Sequence, residues 1–191
     1  MEFVQPIRDK AKIDAMKRQL RGNEFGLRDH CLFVLGINSG LRISDLLSLT
    51  IGDVVDDKGR VRDRIVLREQ KTGKSKDFPI SDTAAKAIRE YLGIRRGGAA
   101  GEPLFLSRKG GGHLQRAQAY KVINDAARAV GITEQIGTHT LRKTFGYHAY
   151  KDGKDVTLIQ KLFNHSSPAV TLAYIGITRE DLDNVYLTLN L

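Results

Sequence analysis

The residues of this sequence that could do chemistry are mostly cations, together with histidines and one late tyrosine. The segment "THTLRK" places His139 and Arg142 three residues apart, on one helical face, and "GLRISD" places Arg42 directly after a glycine break. The segment "NHSSPAVTLAYIG" carries His165 and, nine residues later, Tyr174. Two arginines, a lysine, two histidines and a tyrosine are the groups that phosphoryl transfer without a metal requires.

Each of these residues also has an ordinary structural interpretation. Arg142 fits a surface arginine, Arg42 fits a helix cap, and His165 fits a hydrogen-bonded histidine at a helix end. The residue types alone therefore leave both interpretations open.

Two other kinds of site are excluded by spacing. The "GKS" at 73–75 lacks the glycine that a phosphate-binding P-loop needs five residues earlier, because Arg68 stands there. His139, His148 and His165 have neither metalloprotease nor zinc-finger spacing, so we expect no metal and no cofactor.

Composition favours a folded chain with a polyanionic partner. The 191 residues include 31 Lys+Arg against 22 Asp+Glu, which gives a formal charge of +9 and a pI near 9.7. This sign favours nucleic acid. The one cysteine, Cys31, lies in the apolar run "HCLFVLGI" and is interpreted as a buried hydrophobic residue. A single cysteine allows no internal disulfide, so a reducing cytoplasm fits. No apolar stretch reaches the length of a membrane span, so none is expected.

Hydrophobic periodicity predicts a mainly α domain with a small antiparallel β-sheet, an α+β class. The predicted helices cover about 9–21, 27–38, a short helix at "ISDLLSL" with Ser44 as its expected cap, 82–95, 115–130, 138–151, 155–163, 168–175 and 179–187. Pro168 suits the first position of its helix, behind Ser167. "RVRDRIVLRE" and "KDFPI" are the predicted strands, and "QKTGKS" is the turn between them.

The predicted hairpin is strongly basic. Residues 58–77 contain eight Lys/Arg and three Asp/Glu. Such a charge suits either contact with a polyanion or the solvated face of an edge hairpin, since lysine also protects sheet edges from pairing.

Four segments, taken in order, resemble the conserved boxes of the tyrosine recombinases, the phage-integrase family. They are "GLRISDLLSL", "KTGK", "HTLRKTFGYH" and "NHSSPAVTLAYI", and the resemblance covers the catalytic domain from about residue 10 to 187. It implies a site-specific recombinase or integrase that cleaves and rejoins DNA through a 3′-phosphotyrosine, without metal or ATP.

The resemblance also implies roles for individual residues. Arg42 and Arg142 would bind the phosphate, Tyr174 would be the nucleophile, and Asp45 would support the site. Lys71 would be the hairpin lysine, and His139 and His165 would be the two histidines of the site. Lys71 suits the acid that protonates the leaving 5′ oxygen, His139 could take the phenolic proton or hold the phosphate, and His165 can donate to a phosphate oxygen.

Several alternatives remain within this scheme. Lys74 could replace Lys71 as the acid, and Tyr147, Tyr150 and Tyr186 are rival nucleophiles, although the first two read as packing residues and Tyr186 as part of an apolar stripe. His148 is predicted to be structural. Residues predicted to touch DNA are Lys74, Lys76, Arg108, Lys109 and Lys143, with His113 as a further candidate.

The resemblance also sets expectations for organisation and partners. Residues 1–191 would form a single catalytic domain, with the usual N-terminal core-binding domain absent. The expected partner is double-stranded DNA, on which the protein would self-associate as a synaptic tetramer. The rival functions are relaxation of supercoils like a type IB topoisomerase, and DNA binding without catalysis.

Overall fold

The computed structural model describes residues 4–22, 25–95, 98–108 and 111–189. Ten helices and two strands are assigned within these ranges. They are α1 (Lys10–Arg21), α2 (Gly26–Ser39), α3 (Ile43–Leu47), α4 (Ile51–Val54), β1 (Arg64–Arg68), β2 (Ser75–Pro79), α5 (Asp82–Arg95), α6 (Arg116–Ala129), α7 (Thr140–Lys151), α8 (Val156–Phe163), α9 (Pro168–Ile175) and α10 (Arg179–Leu189). The predicted fold class is confirmed.

Helix α2 lies at the centre because its sequence leaves little polar face. Residues 31–35 are all buried, and the helix packs against α1, α5 and α7. Cys31 is buried as expected, and burial raises the pKa of its thiol far above the ordinary range. This core holds the N-terminal ends of α3 and α7 close together.

The sheet is one antiparallel hairpin. Ile65 pairs with Phe78 and both side chains are buried, whereas Leu67 pairs with Lys76 near the turn. The turn residue Gly73 has a φ of 66°, which glycine adopts without strain. The hairpin therefore has one apolar face on the core and presents its basic residues around the turn.

A second, smaller apolar cluster joins α7, α8 and α9. Its buried members are Tyr147, Ile159, Phe163 and Ile175. Gly146 on α7 makes this packing possible, because a Cβ there would lie 2.7 Å from both Phe163 and Ile175. The cluster fixes the helix that carries Tyr174 against the helix that carries Arg142.

The segment before α1 runs along α7. Ile7 donates its backbone N–H to Thr144 Oγ1 at 2.9 Å, and Arg8 donates to the carbonyl of Gly176 at 2.7 Å. Its contacts therefore span from the middle of α7 to the end of α9. Among the described residues, no helix combines the length and the apolar character needed to cross a membrane.

Candidate active site

Arg42 lies at the N-cap of α3, where the chain turns after Gly40 in the left-handed conformation. Its side chain does not cap the helix. Instead Arg42 Nη1 lies 2.8 Å from Glu69 Oε1 and 3.8 Å from Asp45 Oδ2. The cap interpretation thus describes the backbone of Arg42, while its guanidinium is paired closely with Glu69 and more distantly with Asp45.

Asp45 and Glu69 connect this arginine to the hairpin. Asp45 Oδ1 accepts the backbone N–H of Gln70 at 2.9 Å, and Glu69 Oε2 accepts the hydroxyl of Thr72 at 2.6 Å. Burial raises the pKa of Glu69, but the bonds from Thr72 and Arg42 outweigh it and the net pKa is lowered. Both acids therefore connect the hairpin with Arg42; the supporting role of Asp45 stays a prediction, and Glu69 was not among the residues predicted from the sequence.

Arg142 is the more deeply placed of the two arginines, at 3% exposure. Nη1 donates to the carbonyl of Gly40 at 2.6 Å, and Nη2 donates to the carbonyl of Phe163 at 2.8 Å. Burial lowers the pKa of its guanidinium, which stays charged because an arginine starts far above neutrality. The interpretation of Arg142 as a surface arginine is wrong.

Helix α9 presents Tyr174 to this centre. Ser167 caps the helix by accepting the N–H of Val170 at 3.2 Å, Pro168 takes the first turn, and Gly176 ends it at a φ of 81°. Tyr174 is half-buried, and burial raises the pKa of its phenol, while Arg142 and then Arg42 oppose that rise. The phenol therefore faces the charges that would stabilise its ionised form.

Both predicted histidines reach Tyr174. His139 Nδ1 lies 3.3 Å from Tyr174 Oη, and the ring of His165 lies edge-on at 4.9 Å between centroids. His165 Nδ1 also lies 3.1 Å from Thr171 Oγ1. Burial is the largest factor that lowers the pKa of each imidazole, and nearby cations lower it further. Both rings are therefore neutral near pH 7.

The hairpin lysines differ in exposure. Lys71 and Lys74 are exposed at the turn, and Lys74 Nζ donates to Asn164 Oδ1 at 3.3 Å, next to His165. Lys76 is half-buried, and its ammonium lies 5.8 Å from the centre of the Phe78 ring. Burial, followed by the charge of Arg142, lowers the pKa of Lys76 to about 8. Lys76 is therefore not a fully exposed surface lysine, and its ammonium lies close enough to Arg142 and Arg42 for their charges to act on it.

The other residues predicted to touch DNA fall in different places. Arg108 stacks on Phe25 at 4.3 Å, and His113 Nδ1 lies 2.8 Å from the carbonyl of Leu47. Lys143 is only 7% exposed and its ammonium lies 5.2 Å from the centre of the Tyr174 ring. Lys109 lies outside the described residues.

The rival tyrosines have other surroundings. Tyr147 is buried in the second cluster, and Tyr150 packs against that cluster. Tyr186 is 83% exposed on α10. His148 Nε2 lies 2.9 Å from the carbonyl of Ile7, which matches its predicted structural role. No group of three or more potential metal-ligating side chains occurs in the part of the chain that is described.

Solved structures establish the class of fold. XerA recombinase superposes with a TM-score of 0.77 at 21% identity, covering 98% of this chain and 65% of that one. The catalytic domain of bacteriophage HP1 integrase gives a TM-score of 0.64 at 20% identity, covering 96% of this chain and 95% of that one. The fold is that of a tyrosine recombinase catalytic domain.

Sequence comparison gives the family. Residues 9–180 match the model of the Phage integrase family. The chain is 41% identical to "Probable integrase/recombinase YoeC" of Bacillus subtilis, covering 97% of both chains. It is 33% identical to tyrosine recombinase XerC of Pelobacter propionicus, covering 90% of this chain and 55% of that one. The chain belongs to the phage integrase family, and it spans about half the length of its XerC relative.

Proposed function

We propose that this protein is a site-specific DNA recombinase that cleaves and rejoins strands through a 3′-phosphotyrosine intermediate, with no metal and no ATP. The observation that carries the proposal is the 3.3 Å approach of His139 Nδ1 to Tyr174 Oη, beside two arginines. A phenol, a neutral imidazole and paired guanidinium groups are a complete set for metal-free attack on a phosphodiester. Family membership supports this assignment.

In the cleavage step the phenol oxygen forms a bond to the scissile phosphorus and the bond from phosphorus to the 5′ oxygen breaks. His139 accepts the phenolic proton at Nδ1, which is free to do so because the imidazole is neutral. Arg42 and Arg142 bind the non-bridging oxygens and neutralise the added negative charge. The new phosphodiester bond to Tyr174 conserves the energy of the broken one, so a second 5′-hydroxyl can reverse the step without an external energy source.

The leaving 5′ oxygen needs a proton, and we assign its donor to the hairpin. Lys71 fits because it is exposed at the turn, where a bound strand could draw it toward the phosphate. His165 is assigned a hydrogen bond to a phosphate oxygen, since it lies between α8 and α9 beside Tyr174. Lys74 remains the alternative donor, and its bond to Asn164 places it at the same edge.

Double-stranded DNA is the proposed partner. The charge of +9 and the exposed lysines of the hairpin turn favour contact with its phosphates. XerH recombinase, whose solved structure is described as a post-cleavage complex with difH substrate, shares the fold at a TM-score of 0.75 and 19% identity. A cytoplasmic location is proposed together with this partner.

Self-association on DNA, as a synaptic tetramer, is the proposed assembly. Helix α10 supports this assembly because none of its residues is buried. Its apolar side chains Leu182, Val185, Tyr186 and Leu189 are all more than half exposed. The apolar stripe predicted for this helix therefore has no cover within the described chain. A neighbouring protomer would supply one.

The deciding experiment is covalent trapping on nicked duplexes with a randomised core, at low salt. The wild type should give an adduct that survives denaturant, and Tyr174→Phe should abolish it while DNA binding persists. Tyr150→Phe is the matched control, because this tyrosine lies on α7 and packs against the same cluster. An adduct with Tyr174→Phe would move the nucleophile elsewhere. Binding without any wild-type adduct would favour a DNA-binding module.

A further inference from the structure

Lys143 occupies a place that phosphate contact does not explain. It follows Arg142 on α7, is 7% exposed, and its Nζ lies 5.2 Å from the centre of the Tyr174 ring. Burial lowers the pKa of this lysine, which starts well above neutrality, so the ammonium keeps its charge near pH 7. Lys143 therefore places a positive charge on the face of the tyrosine assigned as nucleophile.

We propose that Lys143 is a positioning residue for Tyr174, whose ammonium holds the phenol ring by a cation–π contact and stabilises negative charge as it develops on the phenol oxygen. This inference rests on the proposed function, because it assigns Lys143 a role in the reaction of that nucleophile. It replaces the direct DNA contact that the sequence suggested for this lysine.

The surroundings of the ring show why a cation matters there. Phe163 and His165 contact the Tyr174 ring edge-on, at 5.7 and 4.9 Å between centroids. These two neighbours restrict the ring but bring no charge, since the pKa of His165 is lowered. A cation on a desolvated aromatic face is attracted more strongly than one in water. Lys143 thus combines restriction of the ring with electrostatic support.

The helix geometry separates the roles of adjacent residues. The guanidinium of Arg142 reaches the carbonyls of Gly40 and Phe163, whereas Lys143 lies on Tyr174. After burial and the charge of Arg116, the charge of Lys143 also lowers the pKa of His139. The same ammonium therefore keeps His139 unprotonated before the reaction, although as a weaker base, and stabilises the phenolate of Tyr174 once its proton has left.

The chain offers a matched control on the same helix. Lys151 Nζ lies 5.8 Å from the centre of the Tyr147 ring, so it is also a lysine of α7 on a tyrosine face. Lys151 is exposed and paired with Asp181 at 2.7 Å. Its removal tests the effect of losing a lysine from α7 without touching the proposed nucleophile.

The first test is titration of the full chain labelled with ¹³C at the tyrosine Cζ, followed by NMR. Lys143→Met keeps an unbranched side chain and removes the charge, and Lys143→Arg keeps the charge. We expect the midpoint for Tyr174 to move up by about one pH unit in Lys143→Met and to stay in place in Lys143→Arg and Lys151→Met. An unchanged midpoint in Lys143→Met would overturn the proposal. Lys143→Gln serves as the neutral variant if the methionine variant does not fold.

The second test measures adduct formation against pH, with DNA affinity measured in parallel. Lys143→Met should slow the reaction roughly three- to tenfold at neutral pH, with the deficit shrinking as pH rises and affinity kept. A loss of affinity with an unchanged adduct rate at saturating DNA would instead identify a DNA contact and refute the positioning role. If the wild type forms no adduct, the proposed function fails, while the titration still decides the role of Lys143.

Discussion

Arg142 and Phe163 contact each other twice. Nη2 of the arginine donates to the backbone carbonyl of Phe163 at 2.8 Å, and the guanidinium lies 4.2 Å from the centre of the phenyl ring. The other end of the guanidinium donates to the carbonyl of Gly40. Arg142 therefore joins the end of α2 to the end of α8, so the residue assigned to phosphate binding also holds the fold together.

Arg142→Lys should cost both stability and chemistry. A lysine keeps the charge but lacks the planar fork, so it leaves at least one buried carbonyl without a donor, at about 1–3 kcal/mol. Urea denaturation should show that loss, and adduct formation should fall more steeply than DNA binding. Arg60→Lys is the control, because its pair with Asp56 is exposed and should change stability little. Equal stability of the two variants would contradict the bridging role.

The pH dependence of stability should reveal a buried histidine outside the site. His30 is 6% exposed, its Nδ1 has no hydrogen-bond partner among the described residues, and burial lowers its pKa to about 4. In the unfolded chain this imidazole takes up a proton as the pH falls below about 6.5, whereas in the folded chain it does so only near pH 4. The contribution of His30 to the free energy of unfolding is therefore fully present above about pH 6.5 and is lost progressively as the pH falls toward 4. His30→Gln should flatten this part of the curve. Urea denaturation at pH 7 and pH 5 measures it, with His148→Gln as the comparison.

The elements that could be predicted are those whose cause is local. Ser167 and Pro168 predict the start of the helix that carries Tyr174, and the structure uses both of them there. The alternation of apolar and polar residues and the glycine in the turn, Gly73, predict the hairpin, and the structure contains it. Helix α4 was not predicted, because a helix of four residues shows no periodicity and depends on the cap at Thr50.

The pH dependence of cleavage should follow His139. Burial and the charges of Arg116 and Lys143 lower the pKa of this imidazole, so it stays neutral to a lower pH than a free histidine. We expect the acid limb of the adduct rate to fall below about pH 6.5. His139→Gln should reduce the rate about a hundredfold or more and remove that limb, whereas His148→Gln should keep it. A rate that is unaffected in His139→Gln would leave proton removal to another group.

The boxes of the sequence predict the groups assigned to the reaction and one support, Asp45, but not the other side chains that hold them. The segments with the most specific amino-acid sequences carry the groups that the fold brings together, which are Arg42, Arg142, His139 and Tyr174. Glu69 and the contact of Lys143 with Tyr174 depend on tertiary packing between distant segments. Glu69 is one of three acids in the strongly basic segment 58–77, and the local sequence does not distinguish it from the other two.

Close packing between α7 and the helices of the second cluster should tolerate no added methyl group. In Gly146→Ala the new Cβ would meet Phe163 and Ile175 at 2.7 Å, which should destabilise the protein by about 1–3 kcal/mol and slow adduct formation by shifting α9. Gly93→Ala is the matched control in α5, because nothing lies within 4 Å of its Cβ position. That variant should gain about 0.5–1 kcal/mol. Thermal unfolding of both proteins provides the comparison.

DNA binding should weaken steeply with salt, because each phosphate neutralised by a lysine releases counterions. Lys74 is exposed beside Asn164 at the edge of the site, so Lys74→Gln should reduce the slope of log affinity against log salt by about one. Lys86→Gln removes an equal charge from α5, which contributes no residue to the site, and should leave the slope unchanged. Fluorescence anisotropy on one duplex across a salt series measures both. Equal slopes for the two variants would mean that the hairpin does not contact the phosphates, and that DNA approaches the arginine pair from another side.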